Sequence, residues 1–182
     1  MDNIFKGGFR AAFKYINLNI LKQKLINFKH YKEKIMRIEK MKECDRNDII
    51  EMSREFYSSD AVSHTADDEK LNNVFDTAIS DFPTFEGYIF RDEDGAASGY
   101  SYISQYYESE IGGMCVMLID IFVKDCCRGR GYASKFFEFV KKSYPDAKRF
   151  RLEVMPDNSG AIRAYKRWGF EELVYKQMII DM

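Results

Sequence analysis

The chain has 182 residues, of which 46% are hydrophobic, 15% aromatic and 31% charged. This composition supports one packed domain and excludes an intrinsically disordered chain. The formal net charge of −1 excludes a uniformly basic nucleic-acid binder. The charge is unevenly distributed, since residues 1–40 have a net charge of +7 and residues 41–182 a net charge of −8.

The beginning of the chain is predicted to be a basic amphipathic helix. Over residues 9–34, apolar side chains recur at helical spacing among lysines. This apolar stripe suits docking on the rest of the protein or on a second copy, which makes a homodimer a candidate assembly. We expect residues 1–35 to be an extension and residues 36–182 to be the folded domain.

Several classes of site and location are not expected. No apolar run approaches the ~20 residues of a membrane span, and the N-terminus lacks a secretory signal pattern. The adjacent Cys126 and Cys127 do not have the spacing of zinc ligands, and His30 and His64 are isolated. We therefore predict a cytoplasmic protein with reduced thiols and no metal.

Six strands and four helices are predicted from residue 36 onward. The strands are 36–41, 85–91, 96–106, 114–123, 148–154 and 173–181, and the helices are 45–57, 67–81, 133–144 and 158–168. Asp45 and either Asp67 or Asp68 are predicted N-caps, and Asp92–Gly95 a hairpin turn. The apolar run 114–123 is typical of a central strand covered on both faces. Hairpins followed by βαβ units predict a mixed sheet.

A glycine-rich turn follows the apolar strand. It has the sequence RGRGYA over residues 128–133 and leads into a helix. Glycines at such a turn allow backbone N–H groups to point into one concave site, and the helix N-terminus adds partial positive charge. Arg128 and Arg130 can add charge-assisted contacts to phosphate oxygens. The turn therefore predicts a pyrophosphate site, although the patterns GxxxxGK[ST] and GxGxxG are both absent.

A second motif has the sequence NSGAIRAYKRWGF over residues 158–170. Together, the two segments resemble the GCN5-related N-acetyltransferase family, which uses acetyl-CoA. The family's (Gln/Arg)-x-x-Gly-x-(Gly/Ala) loop is matched by Arg128, Gly131 and Ala133. Its Asn-x-x-Ala-x-x-x-Tyr-x-x-x-Gly-Phe pattern is matched in full by Asn158, Ala161, Tyr165, Gly169 and Phe170. The resemblance covers residues 36–182.

The resemblance implies an α/β fold with a mixed, mostly antiparallel sheet flanked by helices. Its central parallel strands, here 114–123 and 148–154, would splay apart to admit acetyl-CoA. The pyrophosphate would lie on the amides of the glycine-rich turn, and the pantetheine arm would pair with the strand before it. The cofactor-binding residues implied are Ile121, Phe122, Val123, Arg128, Gly129, Arg130, Gly131, Tyr132, Ala133, Ser134, Asn158, Ala161 and Tyr165.

The resemblance also implies direct acyl transfer to a small-molecule or peptide amine. Tyr165 is the expected general acid for the leaving thiolate, and the backbone N–H of Val123 the expected oxyanion donor. The expected base is Glu153, with Asp120 as the second candidate and a water chain as the remaining alternative. Glu153 has a setting similar to that of the base in bacterial ribosomal-protein alanine N-acetyltransferases. Five tyrosines are candidates to line the acceptor cleft, namely Tyr57, Tyr100, Tyr102, Tyr106 and Tyr107.

One alternative comes from the basic segment. A non-catalytic module could sense acyl-CoA and signal through residues 1–35. Nucleic-acid binding through residues 1–40 would require steeply salt-dependent affinity and is not expected.

Overall fold

The structure of the protein, a computed structural model, describes residues 36–181. The predicted helix over residues 9–34 lies outside the described residues. The strands are β1 (Arg37–Lys40), β2 (Phe85–Arg91), β3 (Ala97–Glu108), β4 (Gly113–Val123) and β5 (Arg149–Leu152). The helices are α1 (Arg46–Tyr57), α2 (Asp68–Ile79), α3 (Tyr132–Ser143) and α4 (Ser159–Arg167). None of the helices in this part of the chain is long and apolar enough to cross a bilayer.

The strands form one mixed sheet in the order β1-β2-β3-β4-β5. β3 pairs with β4 in antiparallel orientation, and β4 pairs with β5 in parallel orientation across the α3 connection. A parallel pair needs such a crossover, whereas the β3–β4 pair is joined by a short turn. The predicted mixed α/β fold is confirmed.

Alternate residues of β2 show that helices cover both faces of the sheet. Tyr88 and Phe90 contact Phe136 of α3, with ring centroids 5.7 and 5.0 Å apart. Ile89, between them, belongs to the core that α1 and α2 form with β3. Because successive strand side chains point to opposite faces, α3 lies on one face and the α1–α2 pair on the other.

Two of the predicted caps have different outcomes. The Asp67 carboxylate accepts a hydrogen bond from the Lys70 N–H at 2.9 Å and caps α2, as predicted. Asp45 is at the N-cap position of α1, as predicted, but its carboxylate accepts from the backbone N–H of Lys42 at 2.9 Å and makes no capping hydrogen bond to α1. The reason is a 3₁₀ turn over Glu43–Asp45, which brings Asp45 into helical geometry before α1 begins.

The predicted turn between β2 and β3 forms at residues 92–96. The Asp92 carboxylate accepts hydrogen bonds from the N–H groups of Asp94 and Ala96, at 3.0 and 2.9 Å. Gly95 has φ 88°, in the left-handed region where glycine is favoured. The Asp-Gly pattern therefore acts as predicted.

The prediction that β4 is covered on both faces is wrong in part. Met114 and Ile119 are 39% and 43% exposed, whereas Cys115 and Leu118 are buried. Ile119 lies at a β-bulge in β4, and the apolar composition of a segment does not reveal a bulge.

The predicted strand 173–181 does not form. Val174, Met178 and Ile180 are between 84% and 94% exposed, and no ladder includes the segment. Side-chain contacts hold its beginning, where the Tyr175 hydroxyl donates to Glu110 at 3.1 Å. The β-branched and aromatic content that predicted a strand is insufficient, because strand formation depends on packing and pairing as well as on composition.

β5 is the edge strand of the described sheet and carries two arginines. Arg149 forms ion pairs with Glu108 at 2.6 Å and with Glu110 at 3.0 Å. Arg151 donates to the Tyr106 hydroxyl at 3.1 Å. Both guanidinium groups are thus bound to residues of β3 and of the turn that follows it.

Candidate active site

The pairing between β4 and β5 stops part-way along β4. It involves the four β4 residues from Cys115 to Leu118, after which β5 ends. The next residue, Ile119, is skipped in the register with β3, which makes it a β-bulge. Within the described sheet, residues 120–123 are therefore paired on the β3 side only, and Ile119 is paired on neither side. Their outer edge leaves backbone groups available to an extended ligand.

The glycine-rich turn lies at the end of this open edge. Gly129 and Gly131 have φ values of 75° and 80°, and a Cβ added to either would meet no atom within 4 Å. Glycine is favoured at these two positions because of the left-handed backbone conformation. The space beside each Cα atom is open. Both are features that a bound pyrophosphate needs.

The N-terminus of α3 opens onto the same turn. The Lys135 N–H donates to the Gly131 carbonyl at 2.9 Å and begins the helical ladder. The amides of Ala133 and Ser134 precede that first bond, so the helix itself supplies them with no acceptor. With the partial positive charge of the helix end, they form an anion-binding geometry.

The two arginines of the turn are arranged differently. Arg128 Nε donates to the Val123 carbonyl at 3.1 Å, and its Nη1 lies 2.6 Å from the Asp125 carboxylate. Arg128 therefore braces the turn, and its predicted phosphate contact requires exchange of these bonds. Arg130 is exposed at the same turn.

Substituting Gly131 by Ala is expected to weaken CoA binding about tenfold. The left-handed conformation costs a residue with a Cβ about 1–2 kcal/mol, which would shift the turn amides from their positions. Isothermal titration calorimetry measures the CoA Kd, and denaturant unfolding measures stability. Gly112→Ala is the matched control, because Gly112 (φ 58°) also has an open Cβ position but lies in the β3–β4 turn. An equal loss of CoA affinity in both variants would contradict the assignment.

Hydrogen bonding and stacking fix α4 against α3. The Trp168 indole N–H donates to the Ser134 hydroxyl at 3.0 Å, and its ring stacks on Phe137 at a centroid distance of 5.3 Å. Trp168 in turn contacts the Tyr165 ring at 5.3 Å. The second motif is thereby joined to the glycine-rich turn.

Asn158 and Tyr165, the polar residues of the family pattern in the second motif, have distinct positions. Asn158 caps α4, because its side-chain oxygen accepts from the Ala161 N–H at 3.1 Å. Tyr165 is half-buried, and burial raises the pKa of its phenol. A raised pKa keeps the hydroxyl protonated at neutral pH, which a general acid requires.

Asp120 is a buried carboxylate immediately after the bulge. It is 5% exposed, and burial raises its pKa to about 6, an effect that the hydroxyls of Tyr57 and Tyr100 oppose. Tyr57 donates to its two oxygens at 3.4 and 3.2 Å. Tyr100 Oη and Ser53 Oγ lie buried without a hydrogen bond in this region of the structure. A buried acid with an altered pKa is typical of functional sites.

The raised pKa of Asp120 makes stability depend on pH. Because the folded-state pKa exceeds the usual 3.8, the carboxyl stabilises the fold at low pH, and this contribution is lost as pH rises through about 6. Asp120→Asn is therefore expected to increase the free energy of unfolding at pH 8 by about 2–3 kcal/mol, and by little at pH 4. Urea unfolding at both values tests this, and an equal effect at both would contradict it.

Glu153 lies in a different setting. It is exposed and directly follows the last residue of β5. Both candidate bases therefore flank the place where the β4–β5 pairing ends, one buried and one facing solvent. Among the acceptor-cleft tyrosines, Tyr57, Tyr100 and Tyr102 surround Asp120, whereas Tyr107 is 67% exposed.

Sequence reasoning did not single out Ser53 or Trp168. Trp168 is the one tryptophan of the chain and lies inside the second motif, a position that could have marked it as a packing anchor. Ser53 gave no comparable indication, because its place beside the phenols of Tyr100 and Tyr102 depends on how α1 docks. Within residues 36–181, no cluster of three or more His, Cys, Asp and Glu is arranged to hold a metal.

An interrupted parallel strand pair, with a glycine-rich turn and a helix N-terminus beside it, defines an acyltransferase-like fold. A family profile described as the acetyltransferase (GNAT) family matches residues 46–170. The chain therefore belongs to the GNAT acetyltransferase family.

Solved structures share this fold at low sequence identity. A possible acetyltransferase from Clostridium difficile 630 is 13% identical with a TM-score of 0.70, over 81% of this chain and 98% of that chain. AAC(6')-Iy, in complex with a bisubstrate analog, is 18% identical with a TM-score of 0.67, over 81% and 99%. A ribosomal-protein-alanine N-acetyltransferase from Brucella melitensis biovar Abortus 2308 is 14% identical with a TM-score of 0.65, over 81% and 99%. No curated protein sequence matches the chain.

Proposed function

We propose that the protein is an N-acetyltransferase that moves an acetyl group from acetyl-CoA to a primary amine in a ternary complex. The observation that carries the proposal is the open edge of β4 at residues 119–123, which leads into the glycine-rich turn and the N-terminus of α3. AAC(6')-Iy, which shares the fold, has been solved in complex with CoA.

The chain supplies each group that acetyl-CoA needs. The amides of residues 129–134 and the α3 N-terminus would hold the pyrophosphate. The backbone of Ile121 and Val123 would pair with the amide-bearing pantetheine arm, with Phe122 between them and Asn158 and Ala161 nearby. The open space at Gly129 and Gly131 fits a phosphate group in contact with the backbone.

The reaction is acyl transfer by direct attack. A neutral amine attacks the thioester carbonyl carbon, and the Val123 N–H would stabilise the oxyanion. Tyr165 would donate its proton to the leaving thiolate. The proton of the incoming ammonium needs a carboxylate, for which Glu153 and Asp120 are the two candidates at the end of the β4–β5 pairing.

The acceptor is an amine whose identity depends on the loops around this site. The net charge of −8 over residues 41–182 favours a cationic acceptor. Loop variation on a shared cofactor site produces different acceptor specificities, so the fold alone does not identify the amine. We place the enzyme in the cytoplasm, as a domain over residues 36–182 with an N-terminal extension.

Release of free CoA thiol tests the proposal. Acetyl-CoA is incubated with the full chain and with spermidine, kanamycin A, L-lysine or a peptide with a free N-terminal alanine, and thiol is titrated with time. We expect amine-dependent release with at least one acceptor. Binding of acetyl-CoA without release for any amine would instead favour the sensor that acts through residues 1–35.

A further inference from the structure

The carboxyl of Asp120 faces away from the proposed cofactor side of the sheet. Asp120 is opposite Tyr102 in the β3–β4 register, and Tyr102 belongs to the core formed with α1 and α2. Directly opposed strand residues share a face, so Asp120 lies on the α1–α2 face. The helix α3, whose N-terminus would bind the pyrophosphate, lies on the other face.

Among the tyrosines around Asp120, Tyr57 has the largest solvent exposure. Tyr100 and Tyr102 are 0% and 2% exposed, whereas Tyr57 is partly exposed. Tyr57 is the last residue of α1, and residues 58–67, which follow it, form no helix before α2. A ligand that approaches this face therefore meets the partly exposed Tyr57 side chain before it can reach the buried carboxylate.

We infer that Tyr57 receives the acceptor amine and that the ammonium proton passes through its hydroxyl to Asp120. This inference rests on the proposed function and names the group that meets the acceptor. It places the acceptor on the α1–α2 face and the pyrophosphate of the donor on the α3 face. The two would meet in the gap where β5 no longer pairs with β4.

The proton transfers balance in this arrangement. Tyr57 Oη takes one proton from the ammonium while its own proton moves to an Asp120 oxygen, 3.2 Å away. The amine nitrogen then forms the N–C bond, and the C–S bond breaks. The nitrogen loses its second proton to solvent as the intermediate collapses. Tyr165, which gives its proton to the thiolate, takes one proton back from solvent, so one proton is released overall. The Asp120 proton returns to solvent.

The electrostatics of the pocket suit this relay. Burial raises the pKa of Asp120 to about 6, so the group is mostly ionised at pH 7 and yet basic enough to take a proton. The titratable groups that face it are Tyr57 from α1 and Tyr100 and Tyr102 from β3. Burial and the Asp120 charge raise the pKa of all three phenols, so they stay neutral donors.

The test compares Tyr57→Phe with a matched variant, Tyr144→Phe. Tyr144 also donates from a partly buried phenol to a carboxylate, Glu86 at 3.0 Å. It follows the C-terminus of α3, about 18 Å along the helix axis from the glycine-rich turn. For both variants and the wild type, kcat and KM for the acetylated amine are measured from pH 5 to 9, together with the Kd for CoA.

We expect Tyr57→Phe to lower kcat/KM for the amine about 10–100-fold and to leave the Kd for CoA unchanged. The acidic limb of its pH profile should move to higher pH, because Asp120 loses the hydroxyl that lowers its pKa. Tyr144→Phe should match the wild type in rate and profile.

Two outcomes would overturn the inference while the proposed function stands. The first is an active wild type with Tyr57→Phe unchanged in rate and pH profile. The second is a rate loss without movement of the acidic limb, which would indicate a merely structural hydroxyl. A wild type that releases no thiol with any amine overturns the proposed function, and the inference with it.

Discussion

Tyr165→Phe is expected to lower kcat about a hundredfold or more while CoA still binds. Loss of a general acid removes about 10²–10⁴ of the rate, since the thiolate must then leave without a positioned proton. The phenyl ring should retain the contacts of Tyr165 with Trp168 and Phe170, at 5.3 and 6.1 Å, so the fold of α4 is preserved. Steady-state thiol release gives kcat, and calorimetry gives the Kd for CoA.

The control for this variant is Tyr175→Phe, which removes an exposed hydroxyl that donates to Glu110. It should leave both kcat and Kd unchanged. If Tyr165→Phe retains the wild-type kcat throughout the pH range, Tyr165 is a packing residue and the thiolate leaves unassisted. If the protein releases no thiol and binds CoA with the same affinity in both variants, the result would fit the sensor alternative.

Phe136→Ala is expected to reduce the free energy of unfolding by about 3–5 kcal/mol. Phe136 is 0% exposed, and its ring contacts those of Tyr88, Phe90 and Phe139. Removal of the ring forfeits its burial and leaves a cavity between α3 and the sheet. Urea denaturation monitored by circular dichroism gives the change in stability.

Phe139→Ala is the matched control, because it is the same residue type on the same helix but only half-buried. The reduction in the free energy of unfolding should be clearly smaller for Phe139→Ala than for Phe136→Ala. Because the N-terminus of α3 is part of the proposed pyrophosphate site, Phe136→Ala should also weaken CoA binding. Saturating CoA should restore part of the lost free energy of unfolding. Equal losses for the two variants would mean that α3 packs differently from the structure described.

Local chemistry explains which elements could be predicted from the sequence. The Asp67 cap and the Asp92–Gly95 turn each depend on residues close in sequence, and both formed as predicted. Gly129 and Gly131 also have the backbone conformation that the turn required. The family resemblance contributed the parallel pair formed by the strands predicted at 114–123 and 148–154, which no local pattern contains.

The sequence-based predictions that were wrong concern features that depend on residues distant in the sequence. The bulge at Ile119 depends on the register between β3 and β4, and an apolar run contains no information on register. The tail 173–181 has strand composition but pairs with no strand of the described sheet. Asp45 is at the predicted N-cap position, but its carboxylate accepts from Lys42 because a 3₁₀ turn precedes α1, and no cap pattern distinguishes the two arrangements.

In the candidate site, too, some features could be predicted from the sequence and others depend on contacts between distant residues. Sequence patterns selected Asp120 and Glu153 but could not tell a buried carboxyl from an exposed one. The difference comes from α1, which brings Tyr57 against Asp120 across 63 positions of sequence. The dual engagement of Arg128 with Val123 and Asp125 is likewise a matter of loop conformation.

The arginines of β5 have a consequence for the behaviour of the protein at high concentration. A free strand edge is a template for pairing with other chains, and proteins limit this hazard with short strands and charge. Here the edge strand has four residues, two of them arginines. Two molecules that approached edge to edge would gain few backbone hydrogen bonds and would have to accommodate two bulky arginines already bound to Glu108, Glu110 and Tyr106. This edge should therefore resist aggregation into extended sheets.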